Sequence, residues 1–286
     1  MVYAGGRRAE RRGAVAHLDV VTRDTLSKAE PLAAVVITGA SSGLGGALAP
    51  LYACPGRRMG LTGRNAVRLA AVAAECRRRG AEVETAELDV REAGALADWL
   101  TGLDVRAPIG TLIASAGVSA GVAPGQLGEG AELATLQVAS NLIGAINTVE
   151  PVLPLMLQRG YGRIALISSL AGLRGLPYSP GYSASKAGVR AYGEALRTLC
   201  GPAGVRVTVA CPGFFDTPMT DRWHGPTPFL SSVEKTARGL QAAVDKGRPR
   251  WGFPWPLILG MKLGDLGPTW ITDPIFRGFH FNIERP

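Results

Sequence analysis

Tyr182 and Lys186 stand four positions apart in the run Tyr182-Ser183-Ala184-Ser185-Lys186, and residues at that spacing share one face of a helix. An ammonium beside a phenol favours phenolate, lowering a pKa that starts near ~10 and bringing Tyr182 toward proton exchange near neutral pH. Thirteen residues earlier Ser169 closes the apolar run Ile164-Ala165-Leu166-Ile167-Ser168, where its hydroxyl can hydrogen-bond a substrate carbonyl. A phenol, a cation and a hydroxyl of this kind suit proton transfer to or from an oxygen.

A second cluster lies near the start. Thr38-Gly39-Ala40-Ser41-Ser42-Gly43-Leu44-Gly45 follows the apolar run from Ala33. Glycines at 39, 43 and 45 permit a tight turn, let backbone N–H groups approach a pyrophosphate, and bring the next helix close to the sheet with its N-terminus toward the anion. Nineteen residues after Gly45 stands Thr62-Gly63-Arg64-Asn65. An acid there would hold the ribose 2′-OH of NAD, whereas Arg64 suits a 2′-phosphate and Gly63 leaves room for it, so NADP is expected over NAD. Asp89 in Leu88-Asp89-Val90 is placed either to accept from the adenine amine or to cap the helix before Glu92.

These residues need elements to hold them. Short apolar runs at Ala33 to Thr38, Arg58 to Thr62, Glu82 to Leu88, Thr111 to Ala114, Arg163 to Ile167 and Arg206 to Cys211 are predicted strands. Helical patterns fall near Gly45 to Ala53, Ala66 to Arg79, Glu92 to Leu103, Glu132 to Gln158 and Pro180 to Leu199. Strands alternating with helices imply a parallel sheet with right-handed crossovers, so the fold class is α/β, a doubly wound parallel sheet of the Rossmann type. Ser231-x-x-Glu234 is a capping box for a further helix through about Asp245, and Arg250 to Phe253 a last edge strand. The expected organisation is a loosely ordered extension over 1–32, one domain over 33–249, and an apolar tail over 250–286 that packs on the domain or on a neighbouring subunit.

With these motifs in order, the sequence resembles the short-chain dehydrogenase/reductase family over about Ala33 to Asp245. The resemblance implies a seven-stranded sheet, a nicotinamide cofactor and Tyr-centred proton transfer. It also implies that Asn141 holds a water linking Lys186 to solvent, that Lys186 binds the nicotinamide ribose, and that Pro212-Gly213 with Thr217 border the nicotinamide amide. Where the family usually carries Asn-Asn-Ala-Gly after the fourth strand, this chain has Ala114-Ser115-Ala116-Gly117, which loses a carboxamide that braces the central strands. Asn141, Ser169, Tyr182 and Lys186 make the implied catalytic set. Gly39 to Gly45, Arg64, Asp89, Val90, Ser115, Ala116 and Gly117 are the implied cofactor contacts. A homodimer or homotetramer on the long helices around Asn141 and Tyr182 is the implied assembly.

Composition narrows the rest. At 47% hydrophobic and 19% charged the chain is too apolar for disorder, and its apolar runs are too short for a membrane span of about 20 residues. Arg7, Arg8, Arg11 and Arg12 precede no apolar stretch, so a secretory signal is not expected and a cytoplasmic location is. Cys54, Cys76, Cys200 and Cys211 are far apart, with neither C-x-x-C pairing nor enough His for zinc, so no metal is expected. The net charge of +8 comes from dispersed residues, favouring an anionic cofactor over nucleic acid. Leu170, Leu173, Leu176, Pro177, Tyr178, Phe214, Phe215, Met219, Trp223 and Phe229 are candidate walls for a hydrophobic ketone or alcohol, with His224 a further contact. Pro and Gly breaks in the tail argue against a surface-anchoring helix, so membrane contact ranks below a cover or subunit contact. The rival to an NADP-dependent oxidoreductase is a cofactor-binding sensor of the same fold without turnover.

Overall fold

Seven parallel strands lie in the order β3-β2-β1-β4-β5-β6-β8 in the structure, a computed structural model that describes residues 33–284. The extension expected over 1–32 lies outside the described residues. The strands are β1 Ala34–Thr38, β2 Arg58–Gly63, β3 Glu82–Glu87, β4 Ile109–Ala114, β5 Gly162–Ile167, β6 Val205–Pro212 and β8 Arg250–Phe253. Between them run α1 Gly43–Tyr52, α2 Ala66–Arg78, α3 Ala93–Arg106, α4 Ala131–Gln137, α5 Gly144–Val149, α6 Leu153–Arg159, α7 Pro180–Cys200 and α8 Val233–Asp245. This is the doubly wound α/β sheet that the alternation of elements predicts.

Period-2 side-chain placement on each strand feeds two cores. Ala34 and Val36 of β1 join Leu112, Ile164 and Val207 beneath α3, α5, α6 and α7. Val35 and Ile37 join Ile113, Ala165 and Ala210 beneath α1, α2 and α8. The central strands are buried on both faces, hence their unbroken apolar runs. Each fully buried Leu or Ile in these cores contributes roughly 1.5–3 kcal/mol. The edge strand β3 instead carries Glu82, Glu84 and Glu87, and Glu82 and Glu84 pair with Arg58 and Arg106, charges that discourage pairing with another sheet.

Three expectations change. The helical pattern Glu132 to Gln158 is not one helix: it opens into a wide π turn over Val138–Ile143 between α4 and α5, then breaks around Pro151 before α6. The cap of α8 is Ser232, whose Oγ accepts from Lys235 N at 3.2 Å. Ser231 cannot serve, because its backbone bridges to Phe214 and Asp216, so the helix starts one residue later than the capping box suggests. The tail, in which Pro and Gly imply breaks, forms two helices, α9 Trp255–Leu266 and α10 Thr269–Arg277. Pro256 sits in the first turn of α9, where a missing N–H breaks no helical bond.

The chain then returns to the loop after β6. Asn282–Ile283 (β9) pairs antiparallel with Trp223–His224 (β7), and Phe281 stacks on Trp223 with ring centroids 3.9 Å apart. Among the described residues no helix is long and apolar enough to cross a membrane.

Candidate functional site

The order of strands reverses between β1 and β4, which in open α/β sheets leaves a crevice at the carboxyl ends of the strands. A cleft of about 1070 Å³ opens there. Its floor is the turn between β1 and α1. Gly39 and Gly43 have φ of +68° and +55°, in the region that favours glycine. A Cβ on Gly39 would lie 2.6 Å from the Ala116 Cα, and one on Gly45 would lie 2.5 Å from the Gly39 carbonyl oxygen. Side chains are therefore excluded from this turn. The Ser42 side chain makes no capping bond, leaving the first N–H groups of α1 without side-chain partners. A cradle of bare backbone with an uncapped helix N-terminus fits an anionic pyrophosphate.

Arg64 stands beyond the end of β2 and Arg68 one turn into α2, and both line the cleft. Asn65 caps α2 by accepting from Arg68 N at 2.9 Å, which orients the turn carrying both arginines. The expected room above Gly63 is taken by Ser41: a Cβ on residue 63 would meet the Ser41 Oγ at 2.8 Å. Ser41 lines the same cleft as Arg64 and Arg68. Asp89 caps no helix, since Glu92 precedes α3. Its carboxylate accepts from the Arg91 backbone N–H at 2.9 Å and from the Arg91 guanidinium at 3.0 and 2.7 Å. These bonds hold its carboxyl below the usual range.

Across the cleft, α7 delivers Tyr182 and Lys186. Gly193 lets this helix press on the sheet, because a Cβ there would lie 2.6 Å from Val209 and 2.8 Å from Leu166. Ser169 sits just past β5, lines the same cleft as Tyr182, and accepts from Ala171 N at 3.2 Å. The Lys186 Nζ lies 5.6 Å from the Tyr182 ring centroid and donates to the Ile167 carbonyl at 2.9 Å. Burial pulls the Lys186 pKa down to about 8. Burial also pushes the Tyr182 phenol up, opposed by the neighbouring Ser169 hydroxyl.

Gly39, Ser41, Ser42, Gly43, Leu44, Gly45, Arg64, Asp89, Val90, Ser115, Ala116, Gly117, Ser169, Tyr182, Lys186, Pro212, Gly213 and Thr217 all line this one cleft. Asn141 does not. It is 1% exposed behind the wall, where its Oδ1 accepts from Val118 N at 2.7 Å and its Nδ2 donates to Val118 O and Ser185 Oγ, each at 2.9 Å. The carboxamide joins the loop after β4 to α7. Of the candidate walls, Leu170, Leu176, Phe214, Phe215, Met219 and Trp223 line the cleft, whereas Leu173, Pro177, Tyr178 and Phe229 do not. His224 faces away, its Nε2 2.8 Å from the Glu284 Oε1. Sequence reasoning missed Arg68, for which the signal was its four-residue spacing from Arg64 at a helix start.

A family model for short chain dehydrogenases matches residues 33–226. The chain belongs to the short-chain dehydrogenase family. An uncharacterized oxidoreductase of Myxococcus xanthus is 35% identical over 243 residues, covering 85% of this chain and 95% of that protein. A short-chain dehydrogenase from Sphingobium yanoikuyae, solved in complex with NADPH, is 27% identical with a TM-score of 0.70, covering 82% of this chain and 95% of that one. A short chain dehydrogenase from Mycobacterium paratuberculosis bound to NAD shares the fold at 23% identity and a TM-score of 0.68, covering 77% and 94%. In this short-chain dehydrogenase the match ends at residue 226, so α8, β8, α9, α10 and β9 lie beyond it.

Proposed function

We propose that this short-chain dehydrogenase is an oxidoreductase that interconverts a carbonyl and a secondary alcohol on a hydrophobic small molecule, with NADP(H) as its partner. The observation that carries this reading is that Tyr182, Ser169 and Lys186 face the same cleft as the glycine cradle. Residues 33–249 form the unit that binds cofactor and performs the chemistry, and the tail from 250 covers its substrate side.

When bound, the reduced nicotinamide supplies the hydride. Gly39 to Gly45 and the N-terminus of α1 would hold the pyrophosphate, and Ser41, Arg64 and Arg68 would offer the adenosine 2′-phosphate a hydroxyl and two guanidinium forks. Asp89 and Val90 border the adenine. Ser115, Ala116 and Gly117, just past β4, would contact the cofactor, and Pro212, Gly213 and Thr217 would border the nicotinamide amide. On the substrate, Ser169 and Tyr182 donate hydrogen bonds to the carbonyl oxygen and fix it in line. Tyr182 then gives its proton to that oxygen as it becomes an alcohol. A phenol, with an ordinary pKa near ~10, is protonated near neutral pH as this step requires. The phenolate left behind is stabilised by Ser169 and by Lys186, and it regains a proton from solvent before the next turnover. In the oxidative direction the same groups run in reverse.

A panel of ketones followed by NADPH absorbance tests this reading. Tyr182→Phe removes the proton donor and leaves the cradle intact, so turnover falls at least about a hundredfold while NADPH binding persists. A Tyr182→Phe enzyme that kept most of its rate would overturn the mechanism, and an absence of turnover with every carbonyl would favour a sensor.

A further inference from the structure

The charged groups around the cleft are confined to one side. Arg64, Arg68, Asp89 and Lys186 are the charged residues that line it, all in the part that would hold the cofactor. From Phe214 onward the lining has no charge at all, and its hydroxyls are Thr217, Thr220 and Thr272. The far wall is the α9–α10 hairpin. Leu257, Met261 and Gly264 of α9 recur at helical spacing, as do Ile271, Ile275 and Phe279 of the α10 segment. From Leu257 to Gly264 the α9 row runs about 10 Å.

The hairpin is fixed where it meets the domain. Ile258 packs against Gly252, and Phe276 against Gly264, each contact one that a Cβ on the glycine would block. Arg174 pairs with Asp273 at 3.0 Å and lies over the Phe276 ring. Yet Leu263, Ile271, Ile275 and Phe279 line the cleft while remaining 39–65% exposed. Apolar side chains fixed along a cleft and left open to water gain most from an apolar occupant. An occupant with a charged end would find no counter-ion on this side.

Building on the carbonyl reading above, we infer that α9 and α10 form an extended apolar chamber that takes an uncharged aliphatic chain attached to the reacting carbonyl, so that the substrate is a long-chain ketone or alcohol rather than a compact polar one. These helices lie beyond residue 226, where the match to the family model ends. The reacting carbonyl sits at Ser169 and Tyr182, and the chain runs outward between the hairpin and Phe214, Met219 and Trp223.

Calorimetric titration of methyl ketones carrying ethyl to decyl chains into the full-length protein saturated with NADP+ tests this without turnover, because an oxidised cofactor cannot reduce a ketone. Affinity is expected to rise with each added methylene, by up to about fourfold where the methylene is fully buried. Gly260 lines the cleft, and a Cβ built on it meets no atom within 4 Å, so the side chain of Gly260→Phe starts from open space and adds bulk to the chamber wall. It should cut the ratio of decyl to ethyl affinity at least tenfold. Ile275→Asp, on the other helix, should do the same by placing a charge in the chamber. Affinity that does not rise with chain length in the wild type, or a ratio that survives both substitutions, would overturn the inference. A rising affinity without NADPH-dependent turnover of any of these ketones would leave the chamber standing and refute the carbonyl reading instead.

Discussion

Replacing Asn141 by Ala tests whether a residue outside the cleft sets its geometry. The side chain makes three hydrogen bonds, two to the Val118 peptide and one to Ser185. Truncation leaves the Val118 N–H and C=O without their partners in a site where Asn141 is 1% exposed. Each unpaired buried group costs roughly 1–3 kcal/mol. Two such groups, allowing for some relaxation, give about 3 kcal/mol. Urea unfolding followed by tryptophan fluorescence reads this directly: with a slope of ~3 kcal/mol/M, the midpoint falls by about 1 M while the slope is unchanged. Ser185→Ala removes the bond accepted from Asn141 and the one its Oγ donates to the Tyr182 carbonyl at 2.7 Å, but it leaves both Val118 groups paired, so it should lose only about 1 kcal/mol. The functional effect follows from position. A Cβ on Gly117 would lie 2.9 Å from the Asn141 Oδ1 and 3.4 Å from the Lys186 Nζ, so the carboxamide stands between the cofactor loop and the catalytic helix. NADPH affinity should therefore weaken together with stability. A midpoint shift below ~0.2 M, or one no larger than that of Ser185→Ala, would refute the claim that this carboxamide holds the loop.

Two further outcomes are expected. NADPH should bind at least about tenfold tighter than NADH, a margin of ~1.4 kcal/mol, and Arg64→Ala combined with Arg68→Ala should erase that margin; equal affinities in the wild type, measured by fluorescence titration, would remove the assignment of the 2′-phosphate corner. Lys186, whose pKa burial lowers from the usual 10.5 to about 8, carries its full cost of buried charge below about pH 8. Between about 8 and 10.5 the folded protein has released a proton that the unfolded chain still holds, so stability rises with pH across that window, by on the order of 3 kcal/mol. Lys186→Met should abolish that rise in urea midpoints, and an equal rise in both proteins would assign it to other groups.

Much of this was legible in the sequence because the relevant constraints are local. Buried parallel strands leave continuous apolar runs, a phosphate cradle requires bare backbone at Gly39 and Gly45, and a helix puts Tyr182 and Lys186 on one face. What stayed hidden depended on tertiary context. Asn141 falls in a π turn within an apparently continuous helical pattern, and no local signal marks the residue whose carboxamide reaches Val118. Ser231 carries a better capping box than Ser232 does, but its peptide is engaged by the loop after β6. The tail misled for a related reason. Pro256 and Pro268 suggest breaks in the sequence, yet one lies in the first turn of α9 and the other caps α10, where a missing N–H disrupts nothing.

The two sides of the cleft differ in the kind of constraint that shapes them. A pyrophosphate is held by backbone N–H groups, so its site demands glycines at fixed spacing and changes little without losing the ligand. An apolar chain is held by contact area alone, and many combinations of Leu, Ile, Met and Phe supply the same area. The glycine cradle falls within the part that the family model spans, up to residue 226, as do Phe214, Met219 and Trp223, whereas the opposite apolar wall is built by helices beyond it. These helices are tied back by β9 on β7, by the stack of Phe281 on Trp223 and by the Tyr178 hydroxyl 2.6 Å from the His280 Nδ1. The same clasp joins the tail to the loop carrying Phe214, Met219 and Trp223, so the two apolar walls are braced against each other. Substitutions within this clasp should alter which carbonyl compound is accepted while leaving the glycine cradle and the proton-transfer groups in place.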